Sequence, residues 1–84
     1  SKKFYLRLLG EMTSIDKQRE IQRLLMRYHG DIPVYFYFAE EKKMVLAEQR
    51  LWVKNDIDLL MSLTQLIGAE NISIADNGKG REIT

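Results

Sequence analysis

The stretch Tyr28-His29-Gly30-Asp31-Ile32-Pro33-Val34-Tyr35-Phe36-Tyr37-Phe38 holds a helix end, a tight turn and a strand start within eleven residues. Gly30 is expected to close the helix in the left-handed conformation that residues with a Cβ avoid. Pro33 cannot continue a helix, and its ring steers Ile32 toward an extended backbone. Val34 to Phe38 are all β-branched or aromatic, the composition of a strand.

Upstream of this junction, Phe4, Leu6 and Leu8 alternate with Tyr5, Arg7 and Leu9, which reads as a first strand. Gly10 to Ser14 reads as a turn. Thr13 or Ser14 can cap the helix that follows, and Asp16 suits its positive end. Ile21, Leu24, Leu25 and Tyr28 recur at helical spacing and form one apolar stripe.

Downstream, a strand from about Pro33 to Phe38 meets the charged turn Glu40-Glu41-Lys42-Lys43, and Met44-Val45-Leu46-Ala47 returns as its hairpin partner. Arg50 to Lys54 reads as extended. Asn55 or Asp56 caps a second helix with the stripe Leu59, Leu60, Leu63, Leu66 and Ile67, ending near Gly68. Asn71 to Ala75 alternates as a last strand. Asp76 to Thr84 is polar and reads as a frayed tail.

The order β-α-β-β-α-β predicts a single small α+β domain over residues 1–84, ordered over about 3–75. The expected architecture is a split βαβ, ferredoxin-like sandwich with both helices on one sheet face. Periodicity does not specify strand order, so other topologies with this element order stay open.

Composition narrows the function classes. A chain of 84 residues makes one domain. It buries roughly 60–65% of its unfolded surface, so its core is small. With 45% hydrophobic and 30% charged residues, disorder of the whole chain is not expected. No run of about 18 apolar residues and no leader pattern is seen, so neither a membrane span nor a signal peptide is expected, and the lack of cysteine fits a cytoplasmic protein. The first residue is Ser1 rather than Met, and we expect a piece of a longer protein. The chain has no cysteine, which excludes disulfides, thiolate zinc sites and thiol catalysis together. A net charge of +1 supplies no general attraction to nucleic acid or anionic lipid.

Residues with chemical potential are scattered. His29 beside Asp31 could act as an oriented base, yet no nucleophile accompanies it, and a turn residue at a helix end is the plainer reading. Asp56 and Asp58 could chelate a cation, but carboxylates are expected at a helix start. Gly78-Lys79-Gly80 has neither the spacing of a phosphate loop nor a helix behind it. Catalytic, cofactor and metal residues are therefore expected to be absent, and no small-molecule substrate is assigned.

Two surfaces carry more. If Val34, Phe36 and Phe38 face the helices, Tyr35 and Tyr37 face outward and share that face with Tyr5 and Arg7. Aromatic rings on an open sheet can stack bases of a single strand. The third strand, Lys43 to Ala47, lacks the glycine-and-aromatic signature of RNA-recognition domains. The second surface is helical. Leu59 to Ala69 contains no charged residue, and Ile57 and Met61 fall away from the buried stripe. Ile15 and Met26 do the same on the first helix. A charge-free face with methionine suits a protein partner, so Ile57, Met61, Thr64, Gln65 and Met26 are the candidate contact residues. The competing reading buries these flanks between the two helices. Arg19, Arg23 and Arg27 recur every fourth residue and default to a solvated face, partly compensated by Asp16 and Glu20.

The ordered signals resemble the extreme C-terminal domain of the bacterial replicative DNA polymerase III alpha subunit. The matching segments begin with Lys3-Phe4-Tyr5-Leu6-Arg7-Leu8 and Gly30-Asp31-Ile32-Pro33-Val34-Tyr35. Leu51-Trp52-Val53, Leu59 to Gly68 and Glu70-Asn71-Ile72-Ser73-Ile74 continue the match, so that it covers about residues 3–75. The resemblance implies a replication role near the nucleoid, with polymerisation chemistry in other domains of such a subunit. It implies docking to the tau subunit of the clamp loader or another replisome protein, with single-stranded DNA nearby. Gln22-Arg23-Leu24-Leu25-Met26 faintly resembles a clamp-binding peptide, but its leucines are needed for the helix core.

The purified chain is expected to show no polymerase, nuclease or phosphatase activity, because no carboxylate cluster or Ser–His pair converges in it. Metal-dependent nucleotide turnover that vanishes when Asp56 and Asp58 become Asn would overturn this.

Overall fold

The computed structural model describes residues 1–76, so the expected tail beyond Asp76 and the Gly78-Lys79-Gly80 segment lie outside it. Among the described residues, β1 (Lys2–Leu8) leads through a 3-10 turn at Gly10–Thr13 to α1 (Ile15–Arg27). The chain continues as β2 (His29–Ile32), β3 (Val34–Phe38) and β4 (Lys43–Leu46). After a 3-10 turn at Gln49–Leu51 come α2 (Ile57–Ile67) and β5 (Ile72–Asp76).

Alternation in β1 sends Phe4, Leu6 and Leu8 to one side, where all three are buried. β3 runs parallel to β1, with Val34 beside Phe4 and Phe36 beside Leu6. β5 runs antiparallel along the other flank of β1, and β4 runs antiparallel to β3. The sheet order is β4-β3-β1-β5. Against its inner face pack Ile21, Leu24 and Leu25 of α1 and Leu59, Leu63 and Ile67 of α2. This is the expected α+β sandwich, with the ferredoxin-like order of elements and two helices on one sheet face. The strand order, which periodicity left open, puts β1 and β3 side by side. The split unit is therefore the second one: β4 and β5 stand at opposite edges with two strands between them.

Both helices start as the sequence implies. The Lys17 amide donates to Ser14 Oγ at 3.2 Å, and the Asp58 amide donates to Asp56 Oδ1 at 2.8 Å. Each cap satisfies an amide that has no partner inside its helix. Gly68 closes α2 at φ 92°, a conformation that favours glycine.

Gly30 corrects the first expectation. α1 ends at Arg27 with Tyr28 as its cap, and Gly30 lies within β2 without a positive φ. Its amide donates to the Trp52 carbonyl at 3.0 Å, and the Lys54 amide donates to the Tyr28 carbonyl at 2.9 Å. A Cβ built on Gly30 would lie 2.6 Å from Lys54 N and 2.7 Å from the Val53 carbonyl carbon. Glycine is needed there for close backbone approach. The segment Arg50–Lys54, expected to be extended, is split. Gln49–Leu51 turns so that Leu51 enters the core, and Val53 alone bridges to His29 and Ile32. Trp52 Nε1–H donates to the Ala47 carbonyl at 3.0 Å and ties this turn to the end of β4. Gly10 to Ser14, expected to be a turn, forms a 3-10 helix over Gly10–Thr13.

At the far end of β5, the Asp76 carboxylate accepts from Lys2 Nζ at 3.5 Å, which ties this edge strand to the start of β1.

Two substitutions test this packing. Leu63→Ala should destabilise the domain by about 2–5 kcal/mol. Gly30→Ala, with no volume removed, should cost about 1–3 kcal/mol by pushing Val53 and Lys54 away. Urea unfolding reads both, and an unchanged midpoint for Gly30→Ala would show that β2 does not need the close approach.

Candidate functional site

The apolar flank of α2 is open to water. Ile57 is 68% exposed and Met61 58% exposed, one turn apart on the same side. With Leu60, Thr64 and Gln65 they line a shallow cleft of about 360 Å³. Four of the five expected contact residues are thus brought together. Thr64 Oγ–H donates to the Leu60 carbonyl at 2.7 Å, which uses its donor within the helix. Helical periodicity assigns Leu60 to the buried stripe. It is only half-buried, because it lies at the stripe's edge, and its flank forms one wall of the cleft.

Met26 does not join this cleft. It lies on α1 beside Arg50, whose Nη1 donates to the Met26 sulfur at 3.4 Å. Met26 and Met61 are both exposed, so neither is packed between the helices. Leu24 and Leu25, the leucines of the clamp-like peptide, are buried in the core.

The sheet face away from the helices carries the second group. Register puts Tyr5 opposite Tyr35 and Arg7 opposite Tyr37. The rings of Tyr5 and Tyr35 stack at 5.1 Å between centroids with planes 20° apart. Arg7 Nε donates to Asn71 Oδ1 at 2.7 Å, and its Nη2 to the Glu70 carbonyl at 3.4 Å. Met44 and Leu46 on β4 stand opposite Tyr37 and Tyr35, and both are exposed. Sequence reasoning missed these two, although hairpin register with Val45 inward would have found them. The four expected residues do share one face. Each stacked ring spends a surface on the other, and Arg7 is held by neutral oxygens rather than by an acid.

The remaining chemical candidates stay apart. His29 and Asp31 are exposed on the short β2. Asp56 serves as the α2 cap. Among the described residues, no three His, Cys, Asp or Glu side chains gather as a metal site. Among them also, no helix is long and apolar enough to cross a membrane.

Comparison with known proteins agrees with the resemblance read from the residues. Over 74 residues, 87% of the chain, it is 27% identical to the DNA polymerase III subunit alpha of Halalkalibacterium halodurans. Over 68 residues, 81% of the chain, it is 24% identical to the DNA polymerase III subunit alpha of Bacillus subtilis. The chain spans only 7% and 6% of the length of these relatives. No family model and no solved structure matches the chain. The chain is thus similar, over most of its length, to part of a replication protein.

Exposure of the methionines has a direct consequence for stability. Met26→Asp and Met61→Asp should each leave the unfolding free energy within about 0.5 kcal/mol of the parent chain. A loss of several kcal/mol would mean that they are buried between the helices.

Proposed function

We propose that this chain is a non-catalytic docking module of a bacterial replicative DNA polymerase III alpha subunit. It holds the polymerase to the replisome by binding the tau subunit of the clamp loader, in the cytoplasm at the nucleoid. The observation that carries this reading is the α2 cleft. Ile57 and Met61 stand exposed on a helix whose run Leu59–Ala69 has no charge. Covering such a surface with apolar side chains returns about 25 cal/mol per Å² removed from water. No charged side chain of that run has to be desolvated in the process, and methionine adapts its shape to the partner. The similarity to polymerase III alpha subunits supports the replication setting.

A second reading assigns the open sheet face to single-stranded nucleic acid. The stacked Tyr5–Tyr35 pair favours it, since it sets two aromatic rings together on the sheet face away from the helices.

Capture of purified tau subunit by the chain separates the two. Met61→Asp and Ile57→Asp should weaken capture about tenfold or more, because a charge in an apolar contact opposes association. Tyr35→Ala and Tyr37→Ala should leave it unchanged. The docking reading fails if the tyrosine variants lose capture while Met61→Asp keeps it. If the sheet binds single strands, the tyrosine variants should lose about 1–3 kcal/mol per stacked base in oligothymidylate binding, steeply weakened by salt.

A further inference from the structure

The arginine row of α1 has no role in the docking reading so far. Among the described residues, Arg23 and Arg27 form no ion pair, whereas Lys17 pairs with Glu20 at 3.5 Å and Arg50 with Glu48 at 3.2 Å. Arg23 and Arg27 line a groove of about 530 Å³ between α1 and α2. Leu24 and Leu66 give that groove apolar walls, and Ser62 and Gln65 face the arginines from α2. Gln65 also lines the cleft of Ile57 and Met61, so groove and cleft adjoin across α2.

We propose that this groove receives an acidic peptide segment of the docking partner. Two of its carboxylates pair with Arg23 and Arg27, and apolar side chains beside them rest on Leu24 and Leu66. Past Gln65, the same segment reaches the Ile57–Met61 cleft. This rests on the docking reading above and names the chemistry of the partner's contact.

Charge complementarity selects the occupant. Two guanidinium groups one helical turn apart repel each other, and among the described residues neither forms an ion pair, although Glu20 on the same groove offsets part of their charge. A carboxylate meets the planar fork of arginine with two parallel hydrogen bonds, which fixes register as well as charge. A nucleic-acid strand fits less well. No aromatic ring lines the groove to stack a base.

The test uses a synthetic helix-forming peptide with two glutamates one turn apart and two leucines on the adjoining face, followed by fluorescence anisotropy. The parent chain should bind it, and Arg23→Glu with Arg27→Glu should weaken binding about tenfold or more. Arg23→Gln with Arg27→Gln should weaken it in the same direction without reversing charge. A peptide with lysine in place of glutamate should prefer the charge-reversed chain. Equal affinity of the parent chain for the glutamate peptide and its glutamine analogue would overturn the proposal. So would displacement of the peptide by an equal concentration of oligothymidylate. If the arginine variants bind the peptide unchanged while Met61→Asp still weakens tau capture, the acidic groove is wrong and the docking reading stands. If Met61→Asp also has no effect on tau capture, both fall.

Discussion

β1 is flanked by β3 and β5, and its alternate residues Phe4, Leu6 and Leu8 are sealed from water beneath two helices. That single alternation sets the rest. Because side chains of a strand alternate between faces, burying these three obliges Tyr5 and Arg7 to face outward. Parallel pairing with β3 requires a crossover, and α1 supplies it. The crossover lays Ile21, Leu24 and Leu25 on the sheet. The edge strands β4 and β5 are then joined over the same face by α2. Both helices lie on this one face of the four strands, so the other sheet face and the outer flanks of the helices remain open.

The core pattern was legible because it is local. Alternation marked β1 and β3, helical stripes marked Leu24, Leu25, Leu59 and Leu63, and short polar residues marked the caps at Ser14 and Asp56. What escaped depended on residues distant in sequence. A glycine after an amphipathic stripe looks the same whether it caps the helix or admits another backbone. Only the contact of Gly30 with Val53 and Lys54 distinguishes these roles. The turn at Gln49–Leu51 is set by burial of Leu51 and by the bond from Trp52 to Ala47, neither of which has a periodic signature. Strand order is likewise a matter of pairing between distant segments.

The surfaces divide in the same way. Ile57 and Met61 were legible as residues off the buried stripe, and their exposure follows from helix rotation against Leu59 and Leu63. Met26 carried the same signal but projects beside Arg50 instead, since it belongs to the other helix. The role of Leu60 as a cleft wall depends on the width of the buried stripe, which periodicity does not fix. The arginine row read as a solvated face. Its position beside Ser62 and Gln65 emerges only when α1 and α2 are packed together.

Amide hydrogen exchange of this chain, alone and bound to tau subunit, measures which open surface the fold was built to present. The account predicts slowed exchange over α2, from Ile57 to Gln65, and over the half of α1 that carries Arg23 and Arg27. It predicts no change in β1 and β3 around Tyr5 and Tyr35. Protection confined to those two strands, with α2 unaffected, would contradict it.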